Sequence, residues 1–283
     1  MPDGANVLGP PSLSVSTPPA AVLPAARYAS SLEGARSAEV ELIPPPRADL
    51  DLVIPAYNEE RRISPTVEAL VAELGSSSYS VRLIVVDNGS VDTTADVVDR
   101  LSARHRLVEL ISCQEKGKGA AVRAGVAHAT APFVGYVDAD QSTPPEAVLT
   151  GLAILTSGWD VVIGSRRAFG ARYVVPQSLV RRLGSRVFNL AATTVTGKVS
   201  DTQCGMKLFR TEAAKHVFAA GTLNGFAFDV EVIARAKQAG LRAMELPVAW
   251  ADSEGSSFHP LRDGFRAFAE LHAARKVLRA GTA

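Results

Sequence analysis

From Asp49 onward the chain alternates short apolar runs with amphipathic stretches, and this alternation most narrows the choice of fold. Leu50 to Ile54 reads as a strand stopped by Pro55, with Asn58-Glu59-Glu60 leading into a helix through about Leu74. Val81 to Val86 is a second strand, ending at Asp87 before the turn Asn88-Gly89-Ser90, and Asp92-Thr93-Thr94 caps a helix to about Arg104. Leu107 to Cys113 is a third strand, and Lys116-Gly117-Lys118-Gly119 opens a helix to about His128. A strand from Phe133, a helix from Pro145 to about Ser157 and a strand at Val161-Val162-Ile163 continue the series. Strands and helices alternating at this spacing specify an α/β class with a mostly parallel sheet and helices on both faces. Such sheets bind ligands at the carboxyl ends of their strands. Polar residues are therefore expected to converge on one rim.

One strand end stands out. Phe133-Val134-Gly135-Tyr136-Val137-Asp138-Ala139-Asp140 is an apolar run that stops at two carboxylates one residue apart. On an extended segment residues i and i+2 point the same way, so Asp138 and Asp140 should face one point. Paired carboxylates repel unless a cation separates them. Hard oxygen donors suit Mg²⁺ or Mn²⁺, ions that accompany phosphate-bearing substrates. By itself an Asp-x-Asp is equally well a solvated turn.

Composition removes several classes. The 283 residues are 47% hydrophobic and 21% charged with net charge +1, so no global basic surface points to nucleic acid. Cys113 and Cys204 fit neither a metal spacing nor a disulfide framework and read as reduced thiols of a cytoplasmic protein. No apolar stretch reaches the roughly 18 residues that span a bilayer, and no signal peptide is visible. Residues 1–47 are rich in Pro, Ala, Ser and Gly and read as a disordered arm before a domain over 48–283.

The second half is less regular. A helix is expected from Gln177 to about Val195, carrying Arg181, Arg182 and Arg186. Asp201-Thr202-Gln203-Cys204-Gly205 forms a polar loop before the apolar run Met206 to Phe209. Helices from Thr211 and across Asp229 to Ala239 and a strand at about Ala243 to Val248 follow. A closing amphipathic helix runs from about Pro260 to Arg279, with Leu261, Phe265, Phe268 and Leu271 as its stripe. That Arg-rich helix either lies peripherally on the inner face of a membrane or covers the sheet.

Val53-Ile54-Pro55-Ala56-Tyr57-Asn58-Glu59, Val85-Val86-Asp87-Asn88-Gly89-Ser90, Gly117-Lys118-Gly119, Asp138-Ala139-Asp140 and Gly164-Ser165-Arg166 occur in the order found in inverting family 2 glycosyltransferases with the GT-A fold. The chain resembles that family. Asp201 to Phe209, Phe228-Asp229-Val230-Glu231 and Glu254-Gly255-Ser256 are similar to its dolichyl-phosphate β-glucosyltransferase branch, and the resemblance covers about residues 49–275. It implies a nucleotide-sugar donor, UDP-glucose above all, and a polyprenyl phosphate acceptor. A soluble or carrier-bound hydroxyl acceptor, and a non-catalytic nucleotide-sugar-binding module, are the alternatives. It also implies that Pro55, Tyr57, Glu59 and Asp87 line the nucleoside pocket, with Asp87 near the base and Glu59 near the ribose, and that Asp138-Ala139-Asp140 carries Mg²⁺ or Mn²⁺. Where members of the family often place a further ligand this chain has Ser142, and Asn88 replaces a common second Asp.

The remaining candidates each have two readings. Lys118 and Arg123 either face phosphate from a helix start or sit in solvent beside a tight glycine turn. Arg166, just past a buried strand, is either a phosphate clamp or a surface residue. A phosphate acceptor is already anionic and needs cations such as Arg166 rather than a base. A hydroxyl acceptor needs a general base, and Asp201 or Asp229 would be that base unless they cap a helix or pin a loop.

Overall fold

The computed structural model describes residues 48–173, 179–225, 227–250, 269–276 and 278. The N-terminal arm over residues 1–47 and Glu254-Gly255-Ser256 lie outside the described residues, as do Leu261, Phe265 and Phe268 of the expected closing helix.

The strands are β1 (Leu50–Ala56), β2 (Val81–Asp87), β3 (Val108–Ser112), β4 (Phe133–Tyr136), β5 (Val161–Ser165), β6 (Arg172–Tyr173), β7 (Lys207–Arg210), β8 (Ala243–Pro247) and β9 (Ala249–Trp250). The helices are α1 (Ile63–Gly75), α2 (Thr94–Arg104), α3 (Lys118–His128), α4 (Pro145–Thr156), α5 (Leu179–Thr196), α6 (Thr211–Ala219) and α7 (Phe228–Gln238). Seven strands form one sheet in the order β3-β2-β1-β4-β7-β5-β8, and β6 pairs with β9 separately. All neighbours in the large sheet are parallel except β7, which runs against both β4 and β5.

Both faces of the sheet are covered, as the apolar alternation requires. Leu50, Leu52 and Ile54 of β1 pack with α1, α2 and α4 through Val67, Leu70, Val98 and Leu152. Val53, on the other face, joins the layer built from α3, α6 and α7, including Val122, Phe218 and Ile233. Helical residues 269–276 place Leu271 against Phe188 and Ala192 of α5 and Val230 of α7. Arg275 donates to the carbonyl of Ala191 (2.7 Å) and to Thr194 Oγ1 (2.8 Å). In its described part, then, the closing helix buries Leu271, Ala274 and Leu278.

Two expectations need correction. Pro55 does not stop β1, which continues to Ala56. Past Val53, among the described residues, β2 alone pairs with this strand, so the missing N–H of Pro55 costs no ladder bond to β4. The carboxylate strand is also shorter than its apolar run, because β4 ends at Tyr136. Val137 still donates to Val53 O (3.0 Å), but Asp138 precedes a turn at 139–140, and Gln141 takes a left-handed φ of 59°. Asp138 and Asp140 therefore converge through a turn and not through a strand's two-residue repeat.

Candidate active site

The direction of β7 decides what reaches the rim. Tyr136, the last residue of β4, pairs with Lys207, the first of β7. An antiparallel strand delivers its leading loop to the end where its parallel neighbours finish. Asp201 to Gly205 thus arrive beside Asp138-Ala139-Asp140, and Arg166 comes in from the end of β5.

At the end of β1, Tyr57 projects with 56% of its surface exposed. Asn58 adopts φ 55°, a region Asn tolerates, and ties the first two rim loops together. Its N–H donates to Ser90 Oγ (3.0 Å) and its Oδ1 accepts from Val91 N (2.9 Å). Glu59 receives both Arg62 Nε (2.6 Å) and Nη2 (2.7 Å). Burial pushes the Glu59 carboxyl above its usual range against the pull of Arg62, and the charges of Asp140 and Asp138 push the same way. Both oxygens of Glu59 are therefore held by its own arginine, within the field of the two aspartates.

Asp87 is buried at the end of β2 and accepts from Ser90 N (3.3 Å). Asn88 has a structural reason for being an amide. Its Nδ2 donates to the carbonyls of Cys113 (3.3 Å) and Glu115 (2.6 Å), while its Oδ1 accepts from Gly117 N (2.8 Å). A carboxylate could not make the first two bonds. Gly117, at φ 119°, passes so close to the backbone of Asn224 that a Cβ would overlap it.

Lys118 begins α3 and places its ammonium 2.5 Å from Asp138 Oδ1 and 5.7 Å from the centre of the Phe228 ring. Burial opposes its charge, but Asp138, Asp229 and Asp140 outweigh that and hold it protonated. Burial likewise opposes ionisation of Asp138, and Lys118, Lys207 and Arg166 together bring its carboxyl below the ordinary range. Asp140 Oδ1 accepts from Ser142 N (3.0 Å), and Thr66 of α1 donates to the carbonyl of Ala139 (2.8 Å). Gly205 lies against Asp138 Oδ2 closely enough that a Cβ there would collide with it. Among the described residues no group of three or more His, Cys, Asp or Glu gathers as metal ligands. The donor set is two half-buried carboxylates, with the buried Ser142 donating its backbone N–H to Asp140. Its chemistry, hard carboxylate oxygens side by side with Lys118 on Asp138 Oδ1, fits a divalent cation.

Arg123 does not face the rim. It donates to Leu223 O (3.1 Å), bonds Asn224 Oδ1, and lies 3.6 Å from Glu115, fastening α3 to the 222–224 segment. Arg181, Arg182 and Arg186 fall on α5, but their side chains lie outside the described set.

The two candidate bases are both engaged. Arg166 donates to Asp201 through Nε (2.6 Å), Nη2 (2.9 Å) and its backbone N–H (3.0 Å), and its guanidinium lies 5.4 Å from the centre of the Trp250 ring. Burial would raise the Asp201 carboxyl, but these bonds and the Arg166 charge bring it from an ordinary 3.8 to about 2. The folded value lies below the unfolded one, so the stabilisation is complete above 3.8 and is lost as pH falls through about 2. It amounts to about 2 kcal/mol. Urea unfolding of Asp201→Asn should lack this acid slope between about pH 4 and pH 2; an unchanged slope would show that the pair does not hold Asp201 ionised. Asp229, for its part, takes Lys207 Nζ (2.6 Å) and Tyr136 Oη (2.5 Å) and is buried.

Lys207 and Tyr136 were not foreseen as site residues. A lysine inside the apolar run Met206 to Phe209 was the visible signal, because an unpaired charge does not enter a core strand.

The comparisons agree with this architecture. The pattern of Glycosyl transferase family 2 matches residues 51–218. A dolichyl-phosphate beta-glucosyltransferase of Drosophila melanogaster is 31% identical over 232 residues, covering 76% of this chain and 71% of that protein. The Homo sapiens dolichyl-phosphate beta-glucosyltransferase is 29% identical over 232 residues, with the same shares. Glucosyl-3-phosphoglycerate synthase from Mycobacterium tuberculosis, solved with Mn²⁺, uridine diphosphate and glucosyl-3-phosphoglycerate, superposes with a TM-score of 0.62 at 19% identity, over 82% of this chain and 80% of that one. The chain belongs to glycosyl transferase family 2 and is a glycosyltransferase built on the GT-A fold.

Proposed function

We propose that this enzyme transfers glucose from UDP-glucose to a polyprenyl phosphate, with Mg²⁺ or Mn²⁺ held by Asp138 and Asp140. The relatives named dolichyl-phosphate beta-glucosyltransferase support the sugar and the acceptor, and the similarly folded synthase bound to Mn²⁺ and uridine diphosphate supports the donor and the metal. The observation that carries the choice of acceptor is the engagement of both candidate bases. Asp201 is paired with Arg166, and Asp229 with Lys207 and Tyr136. A carboxyl held at about 2 is a poor base at neutral pH, whereas a phosphate acceptor brings its own anionic oxygen.

In this reading Pro55, Tyr57, Glu59 and Asp87 bind the nucleoside, and Ala139 lies between the two metal-binding carboxylates. A bound divalent ion would neutralise the charge that develops on the diphosphate as the glycosidic bond breaks. Lys118 stands beside the same point and adds a second positive charge near the leaving group. Arg166, with its guanidinium plane fixed by Asp201, orients the acceptor phosphate.

A panel of nucleotide sugars, assayed with and without polyprenyl phosphate, tests this directly. UDP-glucose with the lipid phosphate should be turned over fastest. Transfer to hydroxyl acceptors alone would reject the phosphate reading, and binding without turnover of any donor would reject catalysis.

A further inference from the structure

Beneath the rim lies a charged group with no surface to act on. Lys207 is fully buried in the middle of the sheet. Its ammonium donates to Asp229 Oδ1 (2.6 Å) and to the carbonyl of Cys204 (2.8 Å), and it stands 5.4 Å from the centre of the Tyr136 ring. Tyr136 donates to the same Asp229 oxygen (2.5 Å). A buried ion pair is seldom a net source of stability, since an apolar pair of similar volume often serves as well. Its value must then lie in what it holds in place.

Each member leads toward Asp138. Tyr136 is two residues before it on the same strand end. Cys204, whose carbonyl Lys207 binds, precedes Gly205, and Gly205 is the residue lying against Asp138 Oδ2. Asp229 sits next to Phe228, whose ring faces the Lys118 ammonium that pairs with Asp138 Oδ1. The two oxygens of Asp138 are thus flanked by two groups, Gly205 and Lys118; the Lys207–Asp229–Tyr136 cluster is bonded to the segment carrying Gly205 and adjoins Phe228, whose ring faces Lys118.

We propose that Lys207, with Asp229 and Tyr136, is a positioning residue for the metal-binding carboxylate: it fixes the Cys204–Gly205 turn against Asp138 and so sets the affinity for the divalent ion. The proposal rests on the assignment of the metal to Asp138 and Asp140. It gives Asp229 a supporting role in place of that of a base. Groups that orient a metal's ligands typically change metal affinity about 10- to 100-fold when removed.

The test is Mn²⁺ binding to the full chain without donor, followed by the electron paramagnetic resonance signal of free Mn²⁺, beside thermal unfolding of each protein. The charge-neutral exchange Lys207→Met with Asp229→Asn should fold and bind Mn²⁺ at least about 10-fold more weakly. Wild-type affinity in that folded protein would overturn the proposal. Should the double variant not fold, Tyr136→Phe decides: several-fold weaker binding supports the role, and unchanged binding overturns it. Asp138→Asn separates the layers of the argument. If it binds Mn²⁺ like the wild type, the metal assignment fails and this inference with it. If it alone loses Mn²⁺, only the positioning role fails.

Discussion

Replacing Asp138 or Asp140 by Ala is expected to lower transfer by roughly 10³-fold while leaving the fold in place. Both side chains lie past the last residue of β4, half-buried at the rim and outside the apolar layers. Asp138→Ala removes the Lys118 partner, but that lysine is 34% exposed and lies within the field of Asp140 and Asp229. The loss of stability should therefore stay within about 1 kcal/mol. The catalytic loss is larger because charge on the leaving diphosphate is stabilised by several kcal/mol when a cation is held there, and about 4 kcal/mol corresponds to three orders of magnitude in rate. Steady-state rates of both variants, with urea unfolding as the control for folding, measure the two effects separately. Full activity in EDTA, or in either folded variant, would remove the metal from Asp138 and Asp140.

The sequence made some of this legible and hid the rest for physical reasons. Strands and helices over Leu50 to Ser165 were readable because each apolar run has a clear period and ends at polar or turn-forming residues. Asp138, Asp140 and Glu59 were readable as residues of one rim because parallel strands that share a rim bring their ends together whatever their detailed twist, whereas Lys118, at a helix start, was left between a phosphate contact and solvent. Less accessible was β7. A short apolar run carries no sign of its direction, and its insertion between β4 and β5 is a property of the whole sheet. With its direction unknown, Asp201 could not be placed against Arg166, nor Lys207 against Asp229. The fate of Arg123 was hidden for a related reason, since its partners Leu223 and Asn224 lie a hundred residues away. Asn88 could be seen to differ from the usual acid, but its reason, two backbone carbonyls on the neighbouring loop, exists only once the chain has folded.

The nature of the acceptor should be visible in the behaviour of the Arg166–Asp201 pair. With a phosphate acceptor, Arg166→Ala is expected to cost on the order of 2–5 kcal/mol in transition-state stabilisation, the scale for removing one partner from a desolvated charge contact. Asp201 is only 2% exposed, so the same substitution leaves a carboxylate buried without its guanidinium, and protein stability should fall by about 3–5 kcal/mol as well. Rates must accordingly be compared below the unfolding transition of each variant. Asp201→Asn keeps an acceptor oxygen for the guanidinium and should lose far less activity. The pH profile adds a criterion that loss of folding cannot mimic. A phosphate monoester dianion takes up a proton at about pH 6 and becomes the monoanion, so kcat/KM should fall below that pH with the same limb in the wild type and in Asp201→Asn. The limb then belongs to the acceptor and not to the enzyme. A hydroxyl acceptor would reverse the pattern, because loss of a general base typically costs about 10²–10⁴-fold and takes its own limb from the profile. If folded Asp201→Asn is inactive while folded Arg166→Ala still turns over, the acceptor is not a phosphate, and the tie between Arg166 and Asp201 serves a base and not a clamp.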